Sequence, residues 1–256
     1  MIIKDNLTVF EGMTSISALI KAAETKPDTA RKIEKIIYAK GNECNKYRQL
    51  AFLDVKSKSL GFKLEAVNSD EIDSVVTGKT HGGFIALCGE RTYTSIDIDK
   101  IIRNGIYFLL EGIEDPYNFG YTLRSLYASG SDGVVLPKRN WMSVAGTVSR
   151  ASAGCSELID IFVDSPENAV NIFKASGFRI CSANIRDSVL LYDADLTAPI
   201  LFIIGGEKRG VSRALLDLTD FNVKIGYGRE FSGSLPTAEA SAIIAFEAAK
   251  YNKRIK

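Results

Sequence analysis

Arg124 is placed where a guanidinium has room. It falls about one helical turn from Gly120 and from Ala128, neither of which carries a bulky side chain. Such a pocket suits an anion or a sugar–phosphate better than core packing. Just upstream, Asn118 follows Asp115-Pro116 and can accept from the free backbone N–H groups of a new helix. Phe119, Leu123, Leu126 and Tyr127 recur at helical spacing and mark the face of that helix that packs inward. A second chemical stretch reads Gly205-Gly206-Glu207-Lys208-Arg209-Gly210-Val211-Ser212 and follows a deeply apolar run. A ligand at the carboxyl end of a parallel strand would be held by the backbone of such a loop. It is not a P-loop, because no Lys follows Gly210, and its third glycine is misplaced for a dinucleotide fingerprint. Gly226-Tyr227-Gly228 fails the same dinucleotide test. On bare chemistry, a helix cap, an exposed helical arginine and a glycine-rich turn remain open as plainer readings.

The elements that must hold these residues follow from periodicity. The run 106–110, bounded by Gly105 and Gly112, reads as a buried strand leading into the Asn118 turn. Residues 132–137 read as a turn and strand, and 143–152 as a helix whose tail, Ala151-Ser152-Ala153-Gly154, lets another backbone approach closely. A helix over 166–176 opens on Ser165 and Pro166 and stops at Gly177. Strands follow at 179–183 and 200–204, and a final helix spans 237–251 with Pro236 as its opening residue. Alternation of this kind predicts an α/β fold, a parallel sheet with helices on both faces. The first third is a smaller α/β unit: helix 14–23 stopped by Lys26-Pro27-Asp28, strand 33–39, helix 45–60 stopped by Gly61, strand 63–67, a capped short helix over 69–76 and strand 84–88. The stretch 91–104 is polar and has no clean period. It places the domain joint near residue 99, dividing the chain into 1–98 and 99–256.

Composition narrows the partners. Lys plus Arg number 32 against 31 for Asp plus Glu, a net charge of +1, so no global field draws this chain to nucleic acid. An RNA contact must be a local patch, and the candidates are Lys40, Lys46 and Arg48; Lys138 and Arg139 with Arg150; Lys208 and Arg209; and Lys253, Arg254 and Lys256. Cys44, Cys88, Cys155 and Cys181 never approach CxxC spacing, which predicts reduced residues, three of them buried, rather than a disulfide frame or a zinc site. His81 is the only histidine, with no second ligand or carboxylate near it in sequence. No signal-peptide core opens the chain, and no apolar run approaches the roughly 20 residues of a membrane span. A cytoplasmic protein is expected.

Three ordered segments resemble the SpoU, or TrmH, family of RNA ribose methyltransferases. Asn118-x-Gly120, with Arg124 four residues on and Gly130 closing the helix, resembles its first motif. Gly205 to Ser212 resembles the second, Gly-x-Glu-x-x-Gly-(Val/Leu)-Ser. Val223 to Tyr227, then Gly233-Ser234-Leu235-Pro236-Thr237, is similar in part to the third. Gly226 and Tyr227 stand where the family has Pro and Met, the connecting loop is one residue longer, and Pro236 stands where Asn is usual. The resemblance implies a SPOUT fold with a C-terminal trefoil knot, preceded by a ribosomal-protein-like (L7Ae/L30e-like) RNA-binding domain. It also implies S-adenosylmethionine held by Gly205, Gly206, Glu207, Ile225, Tyr227 and Leu235, no metal, and a homodimer whose sites draw arginines across the interface. The reaction implied is methylation of a ribose 2′-hydroxyl, in ribosomal more than transfer RNA. Arg124 would clamp phosphate or stabilise a developing alkoxide, Asn118 would orient the nucleotide or the helix entry, and Glu207 would brace the knotted loop or meet the partner's arginine. The rivals are a catalytically silent RNA-binding or ribosome-assembly protein of the same fold, and a dinucleotide oxidoreductase, whose glycine fingerprint and acidic residue are both missing.

Overall fold

The computed structural model describes residues 6–41, 46–78, 81–138, 144–206 and 208–255. Two compact units form, Met1–Thr92 with Asn140–Leu158, and Tyr93–Arg139 with Ile159–Lys256.

The first unit is built on a four-stranded mixed sheet. Its elements are β1 (Thr8–Glu11), α1 (Gly12–Thr25), β2 (Ile33–Ala39), α2 (Tyr47–Leu60), β3 (Lys63–Val67), α3 (Ser69–Asp73) and β4 (Phe84–Cys88), in strand order β1-β4-β2-β3. β4 runs antiparallel to both β1 and β2, while β2 and β3 are parallel. β1 was not legible in the sequence: four residues with one buried side chain present no period to read. Phe10, Ile16, Leu19, Ile36, Leu53 and Phe84 pack one face of the sheet, and Ile37, Val67, Ile72 and Ile85 the other. α3 opens on a capping box between Asn68 and Glu71, which matches the capped short helix expected there.

A later stretch joins this unit. α5 (Ala145–Ala151) and α6 (Cys155–Leu158) pack with α1 and β1. The close approach expected of the small-residue tail is real: a Cβ on Gly154 would lie 2.5 Å from that of Ala18. Arg150, expected in a basic patch, instead donates to Glu11 Oε2 at 2.8 Å. Glu11 also accepts from Thr77 N at 2.9 Å and Gly78 N at 3.2 Å. Burial pushes the Glu11 pKa up, but the Thr77 hydrogen bonds and Arg150 outweigh it and hold the carboxyl below its ordinary 4.5. A depressed carboxylate pKa contributes stability above the unfolded value and loses it as pH falls through the folded one. Denaturation midpoints measured below about pH 4.5 are therefore expected to fall less steeply in Glu11→Gln than in the parent.

The second unit carries seven strands, all parallel where paired: β5 (Ile106–Leu110), β6 (Gly133–Leu136), β7 (Ile161–Val163), β8 (Arg179–Ala183), β9 (Ser188–Leu190), β10 (Ile200–Ile204) and β11 (Phe221–Lys224). Their order is β7-β6-β5-β10-β8-β11-β9. The helices are α4 (Pro116–Ala128), α7 (Pro166–Ala175), α8 (Arg213–Leu216) and α9 (Thr237–Tyr251). Buried strands read as continuous apolar runs because both faces are covered. Tyr107, Leu109, Leu201 and Ile203 pack with Phe173 and Phe178, and the alternate residues Phe108 and Phe202 stack at 5.1 Å. Ser165 caps α7 by accepting from Asn168 N, as expected. Pro236 is the residue before α9, extended at ψ 154°, rather than its first helical residue. Arg254 of the expected C-terminal patch is drawn inward, donating to Asp132 at 2.6 Å and to Asn104 O at 2.7 Å.

Burial pushes the Cys88 and Cys181 thiols up, so neither offers a thiolate, and Cys155 is half-buried. Cys44, Arg139 and Lys256 lie outside the described residues. Among the described residues no helix is long and apolar enough to cross a membrane, and no His, Cys, Asp and Glu cluster could hold a metal.

Candidate functional site

β5 and β10 lie side by side, paired from Ile106↔Ile200 to Leu110↔Ile204. From β5 the chain passes through α4 to β6 on one side, and from β10 through α8 to β11 on the other. Strand order reverses between them, and ligands of open α/β sheets bind at that crevice, outside the carboxyl ends of the strands.

The glycines of the loop after β10 have a packing reason of their own. A Cβ on Gly205 would sit 2.0 Å from Gly210 C and 2.3 Å from Val211 N, and one on Gly206 would sit 2.3 Å from Gly112 O. Gly210 N donates to Gly206 O at 2.9 Å, so the loop folds back on itself and against the turn after β5. Gly205→Ala must push backbone against backbone, costing about 1–3 kcal/mol, and is expected to weaken binding to this cleft about tenfold. Gly228→Ala, where a Cβ meets nothing within 4 Å, is the control expected to change neither. Melting curves with cofactor titration read both.

Two cavities open here. The larger, of about 820 Å³, lies at the carboxyl ends of β8, β10 and β11 and brings together Gly205, Gly206, Ile225, Tyr227 and Leu235. Tyr227 meets Phe231 edge-on at 5.4 Å, and its hydroxyl accepts from Leu235 N at 3.3 Å. The second cavity, of about 580 Å³, is lined by Glu111, Glu114, Asp115 and Asn118 from the segment after β5 and by Lys208, Arg209 and Ser212 from the loop after β10. Gly206, Arg209 and Gly210 line both.

Asn118 is not the helix cap. Pro116 occupies the first helical position, which leaves Asp115 extended at φ −76° and ψ 127°, and Asp115 Oδ1 accepts from Asn118 N at 2.8 Å. Asn118 lines the second cavity instead. Arg124 is exposed on α4, between buried Gly120 and exposed Ala128, and lines neither cavity. Glu207 lies outside the described residues. His81 belongs to the first unit, where its Nδ1 accepts from Gly83 N at 3.1 Å and its Nε2 lies 3.0 Å from Asp73. Sequence reasoning missed Glu111, although it stands directly after an apolar strand, where the switch-point rule points, and it read Ser212 only as the last residue of the glycine loop. Glu111 Oε2 accepts from Ser212 N at 2.9 Å and ties the two loops together.

Known proteins share this fold. The chain is 29% identical over 199 residues to a Staphylococcus haemolyticus protein named for the TrmH family of tRNA/rRNA methyltransferases, a match spanning 75% of this chain and 78% of that one. An AdoMet-bound rRNA methyltransferase from Sinorhizobium meliloti superposes with a TM-score of 0.77 at 22% identity, over 96% of this chain and 88% of its own. An RNA 2′-O ribose methyltransferase gives 0.75 at 20% identity, over 96% and 89%. At these identities the structures speak for the fold. Residues 105–246 match the SpoU rRNA Methylase family. That stretch is more than half of the chain and contains every residue lining both cavities, and the chain belongs to this family.

Proposed function

We propose that this chain transfers the methyl group of S-adenosylmethionine to a ribose 2′-hydroxyl, in ribosomal RNA. The observation that carries the reading is the pair of adjoining cavities at the switch point. One holds the motif residues Gly205, Gly206, Ile225, Tyr227 and Leu235, the other holds Asn118, and they share Arg209.

The larger cavity fits the cofactor. Its 820 Å³ lies within the range of roughly 300–1,000 Å³ typical of small-molecule sites. Ile225, Tyr227, Phe231 and Leu235 offer apolar surface for an adenine, and Lys224 on the lining offers a cation for a carboxylate. When bound, S-adenosylmethionine supplies an electrophilic methyl group on a sulfonium. The protein's work is alignment, which can lower such a barrier by on the order of 7 to 11 kcal/mol in the best cases. Asn118 orients the nucleotide, and Arg124 meets the phosphate or the developing alkoxide.

The same reading assigns a trefoil knot to the C-terminal part of the sheet. It assigns substrate-RNA binding to an L7Ae/L30e-like domain over residues 1–98 and methyl transfer to residues 99–256, in a homodimer of the cytoplasm, where RNA and the cofactor meet. Exposed Tyr117 and Tyr121 on α4, and Phe246 on α9, which packs against α4, supply apolar surface for a second copy.

One observation favours the silent RNA-binding reading. The Tyr227 hydroxyl, where the family has Met, occupies the Leu235 N–H that a cofactor contact would use. Incubation with labelled S-adenosylmethionine and total RNA, followed by mapping of the modified nucleotide, separates the two. Label on a 2′-oxygen is expected. Calorimetry showing no cofactor binding would leave the silent reading standing.

A further inference from the structure

Five charged side chains line the smaller cavity among the described residues: Glu111, Glu114, Asp115, Lys208 and Arg209. Four are engaged. Glu111 accepts from Ser212 N, Asp115 from Asn118 N, and Lys208 pairs with Glu114 at 3.2 Å. Arg209 is exposed and makes no hydrogen bond or ion pair among the described residues, so of these five charges it is the one left without a partner. Arg209 also lines the larger cavity, which puts it beside the place where groups from the two would meet.

A second feature of the same lining points to a ligand. Ser212 occupies the N-cap of α8, yet its hydroxyl accepts nothing from that helix, although a serine there ordinarily does. Its Oγ is buried and has no hydrogen-bond partner among the described residues. A buried hydroxyl left unmatched costs stability, and a ligand group reaching this lining would satisfy it.

We propose that Arg209 holds a phosphodiester of the substrate RNA at the junction of the two cavities, with Ser212 Oγ as the neighbouring polar contact, and so sets which nucleotide faces the methyl donor. The inference rests on the methyl-transfer reading above and names a substrate contact within it. A planar guanidinium grips phosphate through two parallel hydrogen bonds, which orients as well as attracts. Glu111, Glu114 and Asp115 in the same lining repel a phosphate, so an anion is held there only beside the unpaired guanidinium. The cofactor carboxylate offers similar anionic oxygens, and the test distinguishes it.

Arg209→Ala and Arg209→Lys are compared with the parent in RNA binding across a salt series, and in calorimetry with S-adenosylmethionine and with methylthioadenosine, which lacks the amino-acid carboxylate. Arg209→Ala is expected to weaken RNA binding about tenfold or more and to make the log–log salt slope shallower by about 0.7, the loss of one single-strand phosphate contact. S-adenosylmethionine affinity is expected to stay within about twofold, and Arg209→Lys to keep the slope while losing part of the affinity. Lys208→Ala, already paired with Glu114, is expected to change the slope less. An unchanged slope in Arg209→Ala, or an equal change in Lys208→Ala, overturns the assignment. So does a variant that binds S-adenosylmethionine poorly but methylthioadenosine normally, because the guanidinium then belongs to the cofactor carboxylate. A parent chain that binds RNA with the expected slope difference but shows no cofactor binding keeps the contact and removes the methyl-transfer reading.

Discussion

Arg124→Ala is expected to lower methyl transfer by at least about a hundredfold while S-adenosylmethionine binding stays within a few fold. The argument begins with what guanidinium cannot do. Its pKa lies above about 12, so it is a fixed cation and cannot accept the proton that a 2′-hydroxyl gives up. What it can do is hold a phosphate or stabilise charge that develops on oxygen, and loss of one such donor costs on the order of 10²–10³ in rate. Arg124 is exposed, carries no hydrogen bond or ion pair among the described residues, and lines neither cavity of its own chain. Its route to the chemistry therefore runs through the second copy of the proposed homodimer, and this makes the prediction stricter. Arg124→Ala mixed with a Gly205→Ala chain, each weak alone, is expected to recover turnover, since one composite site in the mixed dimer keeps both intact features. Single-turnover transfer from labelled cofactor measures the first claim and mixing the second. Near-normal turnover of the single variant would remove Arg124 from the reaction.

The legibility of this chain divides along burial. Strands 33–39, 63–67, 84–88, 106–110, 179–183 and 200–204 were readable to the residue, because most lie in the middle of a sheet and carry apolar side chains on both faces or one. β1, β7, β9 and β11 went unread: each has three or four residues, and so short a segment shows no period that a turn could not also show. The cap of α4 was misread for a local reason. Asp115 and Asn118 are both good caps by type, and only the fixed φ of Pro116 at the first helical position decides between them. The glycine loop was found correctly, but its glycines answer to the backbones of Gly112, Gly210 and Val211, which lie far off in sequence or across the turn. Pairings of charges are the least legible feature. Arg150 and Arg254 look like patch residues in a string, and only the folded chain brings Glu11 and Asp132 to them.

That lesson has its largest consequence at Glu157, where alanine is expected to destabilise the first unit by about 3–5 kcal/mol. Nothing in the sequence joins residues 145–158 to the first ninety; they stand between β6 and β7 of the other unit's sheet. The join is ionic and dry. Arg31 Nε donates to Glu157 Oε2 at 3.0 Å, with 3% and 4% of the two side chains exposed. Arg31 also donates to Gly89 O at 3.2 Å and lies over the Phe10 ring at 5.1 Å, while Ser156 Oγ donates to Glu157 Oε1 at 3.1 Å. Arg91 adds a hydrogen bond to Ser156 O. Removing one partner strands the other charge in an apolar interior, and the desolvation already incurred is no longer offset. Removing both need not cost more, since two apolar groups of similar volume leave no orphan. Equilibrium urea unfolding of Glu157→Ala, Arg31→Met and the pair Arg31→Met with Glu157→Met closes the double-mutant cycle. The expected result is two costly single variants and a double variant less destabilised than their sum. A loss below about 1 kcal/mol in Glu157→Ala, the range of exposed ion pairs, would mean that apolar packing of α5 and α6, and not this pair, ties the stretch to the first unit.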